Sequence, residues 1–430
     1  MAEQSWRTGI YLTADVIQQH PNYVLRLRDE IGLDTVVIPF TGELPADVLS
    51  LSPYGGRTPT DAELDQLVSR HFDGRPIDPR EYEQAKRFCG PAVNADGDDA
   101  AFRAIVKQLK DAGLKVWTYG GAYTIRRLTF CPSQQGTQDW FEAVYTHWAT
   151  QYGLDALDIT HTRYSMGSFP LGLFGCTCAS CAAAATDLGY DMEKMVADLQ
   201  SARQGLGELD GARLGDVARL GFGFFDVVQA LGLKSGVLDW VRFRTDLITR
   251  NLSRFRSIVH EVATDVSFGT DTYPASMSLT AGHDHRRWGE MADFASPLVS
   301  HISAFVCNTF IEWARFLQEE IPNLTEEDAL QVVYRFNGYD GMGLPETIDA
   351  YGAEEAGTLA YRIPTADLVL RDLVKAKLYL PPDMPSYPIL HGEGWPRETI
   401  DHIVSEARRL GHNGIIWQGT DELMEYDFTA

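Results

Sequence analysis

The chain contains no run of about 18 apolar residues, the length a hydrophobic helix needs to cross a bilayer. Its opening, MAEQSWRTGIYL, has no basic segment leading into an apolar one, so no secretory leader is expected. Positive charge is scarce: 37 Lys and Arg stand against 60 Asp and Glu, a formal net charge of −23. Such a surface repels phosphate backbones and anionic lipid heads, which argues against nucleic acid or membrane partners. Cysteine is sparse as well, six in 430 residues, too few for a disulfide framework. The glycines form no P-loop or dinucleotide pattern, so no nucleotide cofactor is implied. No G-x-S-x-G elbow presents a nucleophilic serine.

What is present is an alternation of strand and helix patterns. Residues 8–13 (TGIYLT) read as a strand, 22–31 as a helix closed by Gly32, and 34–40 (DTVVIPF) as a strand buried on both faces. Helices are expected at 99–113, 137–152, 236–263, 285–293 and 397–411, with further helical text in 182–235 and 305–376. Strands are expected at 114–121, 154–160, 265–271, 297–304, 386–394 and 414–420. Eight strands separated by helices predict a single-domain α/β fold over 1–430, a (β/α)8 TIM barrel. Its long insertions fall at about 41–98, 161–235 and 305–385, on the C-terminal face. Only about ten residues follow strand eight, too few for the usual last helix, and an open doubly wound sheet is the competing arrangement. The long insertions are placed either to roof the cleft or to join copies into a homo-oligomer.

Four of the six cysteines, Cys131, Cys176, Cys178 and Cys181, read C-x44-C-x-C-x2-C. Cys131 lies in the loop after strand three and the others in the loop after strand four, and adjacent strands put those loops side by side. Four thiolates with no open position form a structural Zn2+ shell rather than a catalytic one. An iron–sulfur cluster is the alternative occupant, and four separately buried thiols the metal-free reading. Metal ligation needs thiolates, so a reducing, cytoplasmic location is expected. Cys89 and Cys307 have no partners at useful spacing.

The segments RRLTFCPS and FGCTCASC resemble the zinc clip of bacterial β-galactosidases of glycoside hydrolase family 42. More diffusely, Asp158, Arg163 and Cys176 resemble bacterial glycoside-hydrolase-like barrel proteins, with an acidic strand-four end and an Arg before a cysteine motif. The resemblance covers about residues 126–185. It implies a TIM barrel acting on a glycoside, with Glu393 in LHGEGW at the nucleophile position and Trp417 as the floor of the sugar site. One departure stands out. That family carries a general-acid Glu directly after an Asn at the end of strand four, and this chain reads DITHTRY there.

Glycoside hydrolysis commonly uses two carboxylates, one donating a proton to the leaving oxygen and one attacking or activating water. Asp158, at the end of strand four, and Glu393, at the end of strand seven, are the expected catalytic pair. Polar groups at other strand ends, Asp15, His161, Arg163, Asp271, Tyr273 and His301, are expected to meet the hydroxyls of a small glycoside or oligosaccharide. Tyr119, Trp395 and Trp417 are expected to offer ring faces to a sugar. Two further readings compete. One is a metal-dependent hydrolase or isomerase centred on His161, His283, His285 and Asp271. The other is a sugar-binding barrel without catalysis, for which the missing strand-four Glu is the ground.

Overall fold

A computed structural model describes residues 6–52, 60, 62–63, 97–125, 128–129, 131–164, 171–301, 306–352, 363–391 and 395–418. Eight parallel strands form the sheet: β1 Arg7–Tyr11, β2 Thr35–Pro39, β3 Lys115–Gly121, β4 Ala156–Thr160, β5 Ser267–Thr272, β6 Phe294–Pro297, β7 Ile389–His391 and β8 Gly414–Gln418. They run in the spatial order β6-β5-β4-β3-β2-β1-β8-β7. Two parallel bridges, Ala295 with Ser386 and Leu298 with Ile389, then bring β6 back to β7. The fold is a TIM barrel, and the open doubly wound arrangement does not occur.

Local chemistry sets the helices around it. In α2 (Pro21–Ile31), proline opens the first turn, Tyr23, Val24 and Leu27 face inward, and Gly32 ends the helix at φ 73°. In α3 (Asp99–Asp111), the Asp98 side chain caps the Ala101 amide, and Phe102, Ile105, Val106 and Leu109 form the buried stripe. Helix α4 (Gln135–Gln151) follows β3, and the 28-residue α9 (Ser235–Val262) returns the chain to β5. Between β4 and α9 lie α5 (Ala179–Asp187), α6 (Met192–Gly207), α7 (Gly211–Leu220) and α8 (Phe224–Ala230). After β6 come α10 (Asn308–Glu320), α11 (Glu326–Asn337) and α12 (Thr365–Tyr379), and α13 (Arg397–Arg409) precedes β8. Gly338, in a left-handed conformation, caps the end of α11. Among the described residues no helix is long and apolar enough to cross a membrane.

Strand alternation divides the core in two. Val37, Trp117, Ala156, Phe294, Ile389 and Ile416 fill the barrel interior, with Tyr11 and Tyr119 against them. Their neighbours Val36, Ile38, Val116, Leu157, Ile159 and Ile415 face outward into the layer shared with the helices. Gly9 and Gly269 leave room inside for the Ile416 and Phe294 side chains. Arg7 lies 5.2 Å from the Trp117 ring centre and 5.1 Å from that of Tyr387.

One strand departs from expectation. Strand six occupies Phe294–Pro297 rather than 297–304, and the helix expected at 285–293 is a 3-10 turn at His285–Arg287 running into an α-helical turn at Trp288–Met291. The apolar run PLVSHISA suggested a strand, but pairing is decided by contact with β5, and Gly269 to Thr272 pair with Phe294 to Pro297. Most of the insertion expected at about 41–98 lies outside the described residues, Cys89 included, as do 419–430.

Candidate functional site

Asp158 is the centre of the polar groups at the C-terminal ends of the strands. It shares the inward face of β4 with Ala156 and is 2% exposed. The Tyr11 hydroxyl, from the end of β1, donates to its Oδ2 at 2.6 Å, and the Ser296 hydroxyl of β6 donates to Oδ1 at 3.2 Å. Burial pushes its carboxyl up to about 7, and nearby Asp271 pushes the same way, while the two hydroxyls pull it down by stabilising the anion. The acid therefore holds a proton in the range where an ordinary Asp has lost it. Burial and the adjoining carboxylate raise the Tyr11 phenol well above its usual range, so Tyr11 remains a donor.

Asp271, from β5, is also buried, at 4% exposure. Its Oδ2 accepts from the Thr160 hydroxyl at 2.8 Å and lies 3.3 Å from Arg163 Nη1. The backbone amide of His161 also acts on this carboxyl as a hydrogen-bond donor. Burial raises its pKa, and the Arg163 guanidinium is the largest opposing influence. Arg163 is itself buried and stands 4.9 Å from the Tyr273 ring centre, so Tyr273 supports the cation from within the core. His161 adopts φ 60°, a left-handed conformation uncommon for a side chain with a Cβ, and Thr160 Oγ1 lies 2.8 Å from its Nδ1. Burial, helped by the Arg163 charge, lowers His161 to about 3, so the ring is neutral.

A second group sits at β7 and β8. His301 Nε2 is 2.9 Å from His391 Nε2 and 3.0 Å from Gln418 Oε1. Burial lowers both imidazoles, His391 to about 4, so both are neutral hydrogen-bonding groups. His301 lies in the loop after β6 rather than within a strand. Tyr119 is half-buried at the end of β3, its ring edge-on to Tyr11 with centres 5.3 Å apart.

Other expected residues fall elsewhere. Trp417 is buried in the outer layer: its neighbour Ile416 takes the inward position, which turns the indole away from the barrel interior. Asp15 is exposed in the first turn of α1 (Ala14–Gln19), and Trp395 packs half-buried against the outer core. Glu393 lies outside the described residues. His283 and His285 do not form a solvated loop, since both are buried. His283 accepts from the Tyr273 amide at 3.1 Å, and its Nε2 lies 3.2 Å from the Thr162 carbonyl, so it ties the loops after β4 and β5 together. Tyr11, Ser296, Thr160, His391 and Gln418 are the site residues that sequence reasoning missed.

The cysteine quartet is assembled. Sγ of Cys131 lies 3.6 Å from that of Cys178 and 3.4 Å from that of Cys181, and Cys178 and Cys181 are 3.7 Å apart. With Cys176 included, the four sulfurs lie within 4.8 Å of one another and can bind a metal ion. A tetrahedron with metal–sulfur bonds of about 2.3 Å has edges of about 3.8 Å, close to these separations. Ser133 Oγ lies 3.4 Å from Cys181 Sγ. Buried Arg244, stacked 3.9 Å from the Tyr164 ring centre, is close enough to feel the Cys181 charge. Among the described residues, no other group of three or more His, Cys, Asp or Glu side chains converges in this way. The His161, His283, His285 and Asp271 centre therefore has no structural support. Cys307 is a buried free thiol.

No protein-family model matches the chain, and no curated protein matches it in sequence. Among solved structures, the PgaB (BpsB) glycoside hydrolase domain from Bordetella bronchiseptica aligns over 96% of this chain and 93% of its own, at 11% identity and a TM-score of 0.47. A β-galactosidase from the Antarctic haloarchaeon Halorubrum lacusprofundi aligns over 96% of this chain and 52% of its own, at 12% identity and a TM-score of 0.47. A β-galactosidase from Bacillus circulans aligns over 96% and 50%, at 11% identity and a TM-score of 0.42. The chain spans about half the length of these two β-galactosidases.

Proposed function

We propose that the chain is a glycoside hydrolase that cleaves an O-glycoside with Asp158 as general acid. The observation that carries this reading is the placement of Asp158, buried at the end of β4 between the Tyr11 and Ser296 hydroxyls. A carboxyl at a strand end, pushed up to about 7 by burial and oriented by Tyr11 and Ser296, meets the requirement for a proton donor near neutrality. The Asp158 proton passes to the glycosidic oxygen as the bond to the anomeric carbon breaks. Glu393, as the second carboxylate, either attacks that carbon or takes a proton from the attacking water. Arg163, His161, His301, His391 and Gln418 supply the mixed donors and acceptors that sugar hydroxyls need.

Asp271 is the alternative second carboxylate. It is buried beside Arg163, and its charge acts on Asp158. We further propose that the four cysteines hold a structural Zn2+. That ion would fasten the loop after β3 to the start of α5 and take no part in the proton transfers.

A screen of chromogenic glycosides, followed by Asp158→Asn, Glu393→Gln and Asp271→Asn, tests the assignment. Loss of turnover in Asp158→Asn and in one of the other two variants identifies the pair. Wild-type turnover by Asp158→Asn on a glycoside with a poorly acidic leaving group would sink the proposal. Sugar binding by a wild-type protein that turns over no glycoside would favour the non-catalytic barrel.

A further inference from the structure

The insertion between β4 and α9 builds much of the wall of a separate apolar hollow. Helices α6 to α11 enclose a half-open cavity of about 300 Å³. Among its described lining residues Thr280 is the only polar one; Leu206, Val227, Trp240, Trp313 and Phe316 typify the rest. Water in such a hollow finds almost no hydrogen-bond partners, and cavities of this kind take apolar guests. Phe224, itself a lining residue, is 56% exposed, and its ring meets that of Phe225, which is 81% exposed. Large apolar side chains left in water next to an apolar hollow mark an interaction site. Helix α8, which contributes Phe224 and Val227, lies between Gly221 at φ 130° and Gly232 at φ 56°. Both are conformations that glycine adopts without a Cβ penalty.

We propose that this lobe binds the hydrocarbon chain of a neutral amphiphile, with the polar head outside in water. Size favours a chain over a protein partner. A cavity of about 300 Å³ is at the lower end of small-molecule pockets. A helix about 10 Å across does not enter it. Charge argues against an anionic head, which a protein at −23 repels, and the described lining holds no carboxylate to pair with a cationic one. The Thr280 hydroxyl already donates to the Met277 carbonyl, and no other described lining residue orients a polar ligand, so recognition rests on length and thickness. The proposal is independent of the glycosidase reading.

Calorimetry of the full chain with 1-alkanols from hexanol to decanol tests it. Each added methylene is expected to tighten binding about fourfold until the hollow is full, with a negative heat-capacity change. Ala202 is 8% exposed and lines the cavity, so Ala202→Trp should fill it and weaken decanol binding tenfold or more. If that variant does not fold, the chain-length series on the unaltered protein decides alone. No decanol binding up to its solubility limit, or affinity indifferent to chain length, overturns the proposal. So does a dimer that excludes alkanols and is dissolved by Phe225→Ser.

Discussion

At the scale of single residues, two opposing influences on Asp158 set its chemistry. Burial raises its pKa to about 7, and the Tyr11 hydroxyl opposes that rise. Removing that hydroxyl leaves burial less opposed, so Tyr11→Phe should move the alkaline limb of kcat/KM upward by about one pH unit. An unmoved limb would show that another group titrates there. The same shift has a consequence for stability. A carboxyl whose folded pKa lies above its unfolded value binds its proton more tightly in the folded state. It therefore costs nothing below about pH 4 and destabilises the fold increasingly as pH rises through 7. Asp158→Asn should match the wild type in thermal stability at pH 4 and exceed it at pH 8. Equal melting temperatures at both pH values would contradict the assigned burial cost.

At the scale of elements, the barrel was legible because strand and helix periods alternate, and seven of the eight strands lie close to where the text places them. The sixth slipped because 297–304 is as apolar as the true strand, and the choice between them depends on pairing with β5. That slip hid Ser296. Tyr11 and Gln418 were missed for a different reason: the inward face of a strand depends on parity, and aromatic character drew attention to Trp417 instead of its inward-facing neighbours. Parity would have recovered both, since Tyr11 follows Gly9 by two residues and Gln418 follows Ile416 by two. The cysteines were legible by spacing alone. Purified protein should carry one zinc per chain, and Cys131→Ser should lose it together with several degrees of thermal stability. A brown iron chromophore, or no bound metal after preparation without chelator, would contradict the zinc assignment. Inside the barrel, a Cβ at Gly269 would run into the Phe294 ring, so Gly269→Ala should destabilise by about 1–3 kcal/mol. Unchanged denaturant midpoints would show that the interior can repack.

At the scale of the whole molecule, the acidic surface and the barrel interior act separately. A net charge of −23 repels itself, and raising salt from about 0.01 M to 0.15 M shortens the screening length from about 30 Å to about 8 Å. Thermal stability should therefore rise by a few degrees over that range, as scanning calorimetry would record. Asp158, walled in by β1, β4 and β6, should feel little of this change, so the pH limb of activity should stay in place. The account rests most heavily on Asp158 delivering a proton to the departing oxygen. The direct test is kcat/KM of the wild type and Asp158→Asn on aryl glycosides of one sugar with leaving groups of graded acidity. The account predicts a loss of about 10²–10⁴-fold for poorly acidic phenols that shrinks toward nothing for a dinitrophenyl glycoside, whose leaving group needs no proton. A loss of the same size across the whole series, or no loss anywhere, contradicts it.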